Sequence, residues 1–188
     1  RDEFITQAMA ILSYDNGDFS FVSAPRLGIG FGDYERQTSD ETYKADTRNY
    51  YYGISNEARK DIDMGSFALQ PVAEFNVLGL YQDNMKEKGH LEVNSANNVS
   101  VEGGLGLYAK KEYELTEDDV LKLRLGGTYY HEFNNPYQAA KARIDGLNGS
   151  YHMDSYDAQR DRGVLSARAD YKHNEFNFYA EINKYLEE

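Results

Sequence analysis

Residues 121–133 read LKLRLGGTYYHEF, and the fold turns on what meets the two sides of this segment. Side chains alternate across an extended chain. Leu121, Leu123, Leu125, Gly127 and Tyr129 therefore fall on one side, and Lys122, Arg124, Gly126, Thr128 and Tyr130 on the other. One face is oily and the other carries two full charges. The oily face needs a cover, which is either a protein core or lipid.

The same period of two recurs along the chain. In ALQPVAEFNVLGLY (68–81), Leu69, Phe75 and Val77 oppose Gln70, Glu74 and Asn76; in VEGGLGLYAKKEY (101–113), Leu105 and Leu107 oppose Glu102 and Lys110. RGVLSARADY (162–171) sets Leu165, Ala167 and Ala169 against Ser166, Arg168 and Asp170, and EFNFYAEINKY (175–185) sets Phe178 and Ile182 against Tyr179 and Glu181. YYYGISNEARK (50–60) opposes Tyr50, Tyr52 and Ile54 to Glu57 and Arg59, and FSFVSAPRLGIGF (19–31) opposes Phe21, Leu27 and Ile29 to Arg26, Gly28 and Gly30. FITQAMAILSY (4–14) alternates poorly and completes a set of about eight strands, many longer than is usual in globular sheets. No segment keeps a helical period, so the chain is predicted to be all β.

The connections alternate in length. DNGD (15–18), DIDMG (61–65), LTEDD (115–119) and HNE (173–175) are tight turns rich in Asp, Asn and Gly. Between them lie long polar stretches at 37–48, 82–98 and 134–160. An up-and-down meander with every second connection short has all its short turns at one end, as transmembrane barrels do. Sandwiches with Greek-key crossings follow no such rule.

Composition fits this reading. The formal charge of -12 argues against a nucleic-acid partner, which rewards clustered Lys and Arg. The absence of cysteine removes disulfides and thiolate metal sites. A mean hydropathy of -0.75 excludes a helical membrane protein but not a barrel, whose apolar residues stand only at alternate positions. The opening RDEF does not read as a signal peptide and is expected to be the cut end of a longer protein. The chain has 17 Tyr and 9 Phe. Tyr34, Tyr50, Tyr51, Tyr52, Tyr81, Tyr129 and Tyr130 gather toward the long connections, and Tyr14, Phe19, Phe67, Tyr113, Tyr171 and Phe176 toward the short turns. Two membrane interfaces select two such belts.

Lipid is favoured over a core as the cover. Glycines 28, 30, 104, 106 and 126 sit on the polar side of their strands, where they thin an inward surface crowded by curvature. A strand facing open water gains nothing from them. The expected lumen lining is Arg26, Glu57, Arg59, Glu74, Glu102, Lys110, Lys122, Arg124, Arg168, Asp170 and Glu181. The expected lipid-facing set is Leu69, Phe75, Val77, Leu105, Leu107, Leu121, Leu123, Leu125, Leu165 and Phe178. So many ions would crowd the interior of an eight-stranded barrel, where each costs several kcal/mol unless paired. A fragment of a wider, wet barrel is therefore expected.

From about residue 48 onward, the ordered set FALQPVAEFNVLGLYQD, VEGGLGLYAKKEY, LKLRLGGTYYHEFNN and VLSARADYKHNEFNFYAEINKY resembles the β-domain of the classical bacterial autotransporters. The resemblance implies one domain over residues 1–188, taken from a twelve-stranded outer-membrane barrel. Its eight strands would be the fourth to the eleventh, with truncation expected at both ends. It also implies a translocator that supports export and anchoring of an N-terminal passenger. Implied partners are outer-membrane lipid, the protein's own passenger and linker helix in the lumen, and the barrel assembly machinery.

Other chemistry is weakly signalled. His90, His131, His152 and His173 share no metal-ligand spacing. DNGDF lacks the later ligands of a calcium loop and reads as a turn. Asp40, Glu41 and Asp46 read as a solvated surface. There is no nucleophile elbow or phosphate loop, so no cofactor and no enzymatic activity are expected. Some barrels of the resembled family cleave their own linker with lumenal acids; Glu57, Glu74, Glu102, Asp170 and Glu181 read as lining instead. The alternatives are a small outer-membrane pore or adhesion barrel, and a soluble β-barrel that binds a small ligand.

Overall fold

A computed structural model describes residues 2–37, 42–87, 91–135, 140–144, 151–153 and 160–187. Its strands are β1 (Asp2–Met9), β2 (Leu12–Asp15), β3 (Phe19–Gln37), β4 (Thr42–Lys60), β5 (Ile62–Asp63), β6 (Ala68–Gln82), β7 (Met85–Lys86), β8 (Leu91–Val93), β9 (Ala96–Glu114), β10 (Asp119–Glu132), β11 (Ala140–Ile144), β12 (Tyr151–Met153), β13 (Asp161–His173) and β14 (Phe176–Glu187). The chain is all β and antiparallel throughout.

The main sheet runs β1-β3-β4-β6-β9-β10-β13-β14, with β2 also on β3 and β5 also on β6. Met9 faces Arg26 and Leu12 faces Ser23, so β1 and β2 share one register and act as a single rung. The same holds for β4 and β5 on β6, where Arg59 faces Val72 and Ile62 faces Leu69. The result is an up-and-down meander of eight rungs without a crossover. Among the described residues β1 and β14 do not pair with each other, so the sheet is an unclosed, barrel-like arrangement.

The short turns follow their sequence chemistry. In the first, Asp15 Oδ1 accepts from the Gly17 N–H at 2.8 Å and Asn16 Oδ1 from the Phe19 N–H at 2.9 Å. DNGD is thus a hairpin turn. Gly17 and Gly65 take φ of 94° and 85°, and Asn174 takes 52°, conformations that a Cβ resists.

The long connections depart from expectation. Residues 37–48 were read as a polar loop, yet β3 and β4 stay paired as far as Gln37 opposite Thr42. The other two stretches supply β7, β8, β11 and β12, which form a second sheet ordered β12-β11-β8-β7. Between β6 and β7 the chain stays tied to β4, the Asp83 N–H donating to Arg48 O at 2.9 Å. Polar residues on both faces hide this β structure from a search for apolar alternation.

Among the described residues the buried apolar ones are few: Ala45, Val72, Met85, Tyr108 and Ala142. In the decisive segment Leu123 is 39% and Leu125 66% exposed, and Leu105 on the neighbouring strand is 71% exposed.

Replacement of Gly17 by Ala tests the turn geometry in isolation. No atom lies within 4 Å of the position a Cβ would take, so only backbone conformation is penalised. Gly17→Ala is expected to cost about 1–2 kcal/mol, read as a lower denaturant midpoint with an unchanged slope.

Candidate functional site: the charged face of the sheet

Residues directly opposite in an antiparallel pair share a face, so the registers sort the side chains. Glu57, Glu74, Gly104, Tyr130 and Arg162 form one row across β4, β6, β9, β10 and β13. Lys110, Arg124, Arg168 and Glu181 form a second, and Glu112, Lys122, Asp170 and Tyr179 a third. Arg59 lies beside Val72, Arg26 beside Gly53 and Glu102 beside Asn76. All eleven charged candidates thus occupy one face. The ten oily candidates occupy the other, as in the row Leu69, Ala109, Leu125, Ala167, Ile182.

Several contacts on the charged face skip a strand. Tyr130 on β10 donates its hydroxyl hydrogen to Glu74 on β6 at 3.1 Å, passing over β9. Arg162 on β13 reaches Glu102 on β9 at 2.7 Å, and Lys110 on β9 reaches Asp61, between β4 and β5, at 2.7 Å. Neighbouring strands stand about 4.8 Å apart, so these bridges span two steps. This face also buries Val72, Tyr108 and Thr128. Both features are those of a sheet curled toward its charged side.

Glycine makes the bridges possible. A Cβ on Gly104 would stand 2.7 Å from the Tyr130 ring, and one on Gly126 would stand 2.6 Å from Tyr108 Cδ1. Each glycine leaves a slot in which a ring from the next strand lies flat. Tyr108 is fixed there by a 2.7 Å hydrogen bond with Thr128, and Arg124 stacks over its ring with Cζ 3.8 Å from the centroid. Arg162 stacks likewise over Tyr130, and Arg168 over Tyr179.

Most of these cations are paired, along a strand or across to the next. Along strands Arg168 meets Asp170 at 2.6 Å and Arg59 meets Glu57 at 3.0 Å; across strands Arg168 meets Glu181 at 3.4 Å and Lys122 meets Glu112 at 2.9 Å. Arg124 differs: its Nε is buried without a hydrogen-bond partner. Glu57, Glu74, Tyr108, Arg124, Arg162 and Glu181 surround a polar hollow of about 290 Å³. Asp61, Tyr108, Glu112, Tyr130 and Arg162 join this site without having been among the charged candidates. Arg162 was legible as the polar-side start of its strand, whereas the tyrosine slots require the register.

The aromatic belts need correction. Tyr34, Tyr51 and Tyr130 point to the charged face, as their partners Ala45, Gly28 and Arg162 show. Tyr50, Tyr52, Tyr81 and Tyr129 lie on the oily one. Strand-end position alone cannot tell the faces apart.

The oily face carries two polar clasps, one at each end of the β10–β13 pair. At the long-connection end, Tyr129 and His131 of β10 both bond Asp161 of β13, with His131 Nδ1 at 2.7 Å. At the short-turn end, Tyr171 and His173 of β13 both bond Asp119 of β10, at 2.6 and 2.7 Å. The Thr116 hydroxyl, a further donor at 2.6 Å, is the strongest influence on Asp119, and together these bonds hold its carboxyl down at about 2. Asp161 is lowered by the His131 and Tyr129 bonds. Among the described residues no cluster of three or more His, Asp or Glu could hold a metal ion. His90, Asp40 and Glu41 lie outside the described residues, and only the backbone of His152 is described.

Two outcomes follow from these packings. Gly126→Ala, whose Cβ would collide with the main-chain oxygen of Leu107 and the Cα of Tyr108 as well as with the Tyr108 ring, is expected to destabilise the sheet by about 1–3 kcal/mol, whereas Gly163→Ala, with no atom nearer than 3.4 Å to the added Cβ, should cost less in the same denaturant titration. Because the Asp119 carboxyl is lowered in the folded state, its stabilisation is present above its ordinary value of 3.8 and lost as pH falls through about 2. The stability difference between wild type and Asp119→Asn should therefore shrink as pH falls from 3.8 through about 2.

Among curated proteins none matches the chain significantly. A sequence model of the autotransporter β-domain, by contrast, matches residues 5–183, a span that includes every long strand and both faces described above. With nearly its whole length matched, this chain belongs to the autotransporter β-domain family.

Proposed function

We propose that the chain is an outer-membrane translocator barrel domain, residues 1–188, which supports the export and anchoring of an N-terminal passenger. The observation that carries this reading is the division of one curled sheet into two faces. One face carries every charged candidate, five of which (Glu57, Glu74, Arg124, Arg168 and Glu181) line a polar hollow, and the other leaves Leu105, Leu107 and Leu125 more than half exposed. In this reading the oily face meets outer-membrane hydrocarbon and the charged face lines a wet lumen.

Further support comes from the sheet edges. Open backbone edges are not tolerated in hydrocarbon, so β1 and β14 would be closed by additional strands in a twelve-stranded barrel. A lumen of that size lets water solvate the ion pairs. The charged lining suits a polar polypeptide, first the passenger in transit and then a linker helix. The assembly machinery of the outer membrane would insert the domain. A second reading, an adhesion barrel, is favoured by one feature alone, the four-stranded sheet built from the long connections.

Adjacent residues on opposite faces give the test. Leu125→Arg, at the middle of β10, is expected to cost about 2–4 kcal/mol near mid-bilayer, whereas Arg124→Leu should change insertion much less. Both are measured by reversible folding into phospholipid vesicles. The reverse order of effects would overturn the assignment of faces.

A further inference from the structure

The oily face is not uniformly ridged. Leu123 and Leu125 stand on β10, and beyond them β13 and β14 present Ala167, Ala169 and Ala180 before Ile182 rises again. On the near side Ala109 of β9 is equally low. This alternation of leucine ridges and alanine floors encloses a groove of about 580 Å³ whose surface is almost wholly apolar.

Polar chemistry begins where the groove reaches the short-turn end. Lys111, on the oily face opposite Leu123, is exposed, and its Nζ lies 4.9 Å from the centroid of the Tyr113 ring, two residues nearer the turn. A lysine with its stem on apolar surface and its ammonium turned toward the membrane boundary is a snorkelling cation. The carboxylate at this end, Asp119, is already engaged by Tyr171, His173 and Thr116.

We infer that this groove is a binding site for one phospholipid, with an acyl chain on the alanine floor and its phosphate against Lys111. The inference rests on the proposed membrane reading and adds a selective lipid site to a surface that reading treats as generic. Charge complementarity names the occupant: an apolar channel with a cation at its interfacial end fits an anionic amphiphile, while a second copy of the chain would meet like charge with like.

Native mass spectrometry of the full-length protein, extracted from its membrane in mild detergent and titrated with phosphatidylglycerol, tests the site. Wild type should retain one lipid. Lys111→Ala, at an exposed position, should weaken retention about fivefold, the worth of one lysine at an anionic surface. Ala167→Phe, which fills the floor, should weaken it at least as much, and Val101→Phe, on the same face outside the groove, should not. Equal retention by all four proteins would overturn the inference, as would a dimer abolished by Ala167→Phe without lipid retention. Insertion into vesicles with no selective retention would sink the lipid site alone, whereas failure to insert would sink the membrane reading beneath it.

Discussion

The structure depends on one constraint: two faces of opposite chemistry are printed on the same strands, and only the register keeps them apart. A slip of one residue between β9 and β10 would carry Leu123 and Leu125 to the charged side and Arg124 to the oily side, because successive side chains alternate. The observed register avoids this over its full length, with Leu125 opposite Ala109 and Ala167 while Arg124 lies opposite Lys110 and Arg168. That last row places three cations side by side. It is tolerated because Asp61, Asp170 and Glu181 reach into it, and because Tyr108 offers the face of its ring to the one guanidinium whose Nε stays unpartnered.

Glycine and curvature are linked by the same logic. Curling toward the charged side shortens the distance between strands two apart on that side, so something between them must be small. Gly104 lies beneath the Tyr130 ring on its way to Glu74, and Gly126 beneath Tyr108. These are positions at which the sheet is closed over by its neighbours' rings rather than by a second layer. A barrel wall can thereby hold its polar side chains in order while its interior stays open.

How much of this the sequence displayed follows from contrast between faces. Where one face is apolar and the other charged, as in 68–82 and 119–132, the strands stand where alternation puts them. FITQAMAILSY is hard to read because Ile5 and Met9 share the charged side while Phe4, Leu12 and Tyr14 take the oily one, so neither face is distinctive. Gly32–Gln37 and Thr42–Thr47 were missed for the opposite reason, both faces being polar or small. The charged set was legible from alternation within each strand. The Tyr–Arg stacks were not, since they depend on which residue of the next strand lies alongside.

The two clasps bear on where the membrane reading places its boundaries. β10 and β13 each carry the order Tyr-x-His near their C-terminal ends, and each faces an Asp at the start of the other. Antiparallel pairing turns one short motif into a two-fold arrangement with polar knots at opposite ends. From Asp119 to His131 the strand advances about 40 Å at roughly 3.4 Å per residue. A tilt of about 40° projects this to about 30 Å, close to the hydrocarbon thickness of a bilayer. A Tyr–Asp–His cluster inside hydrocarbon would bury a carboxylate at heavy cost, yet at the headgroup level its ring is half immersed and its charge is wet. Leu121, Leu123 and Leu125 lie between the knots and carry no polar atom on this face. The spacing of the clasps thus sets the same limits to the apolar band as the leucines themselves, by a chemistry independent of hydrophobicity.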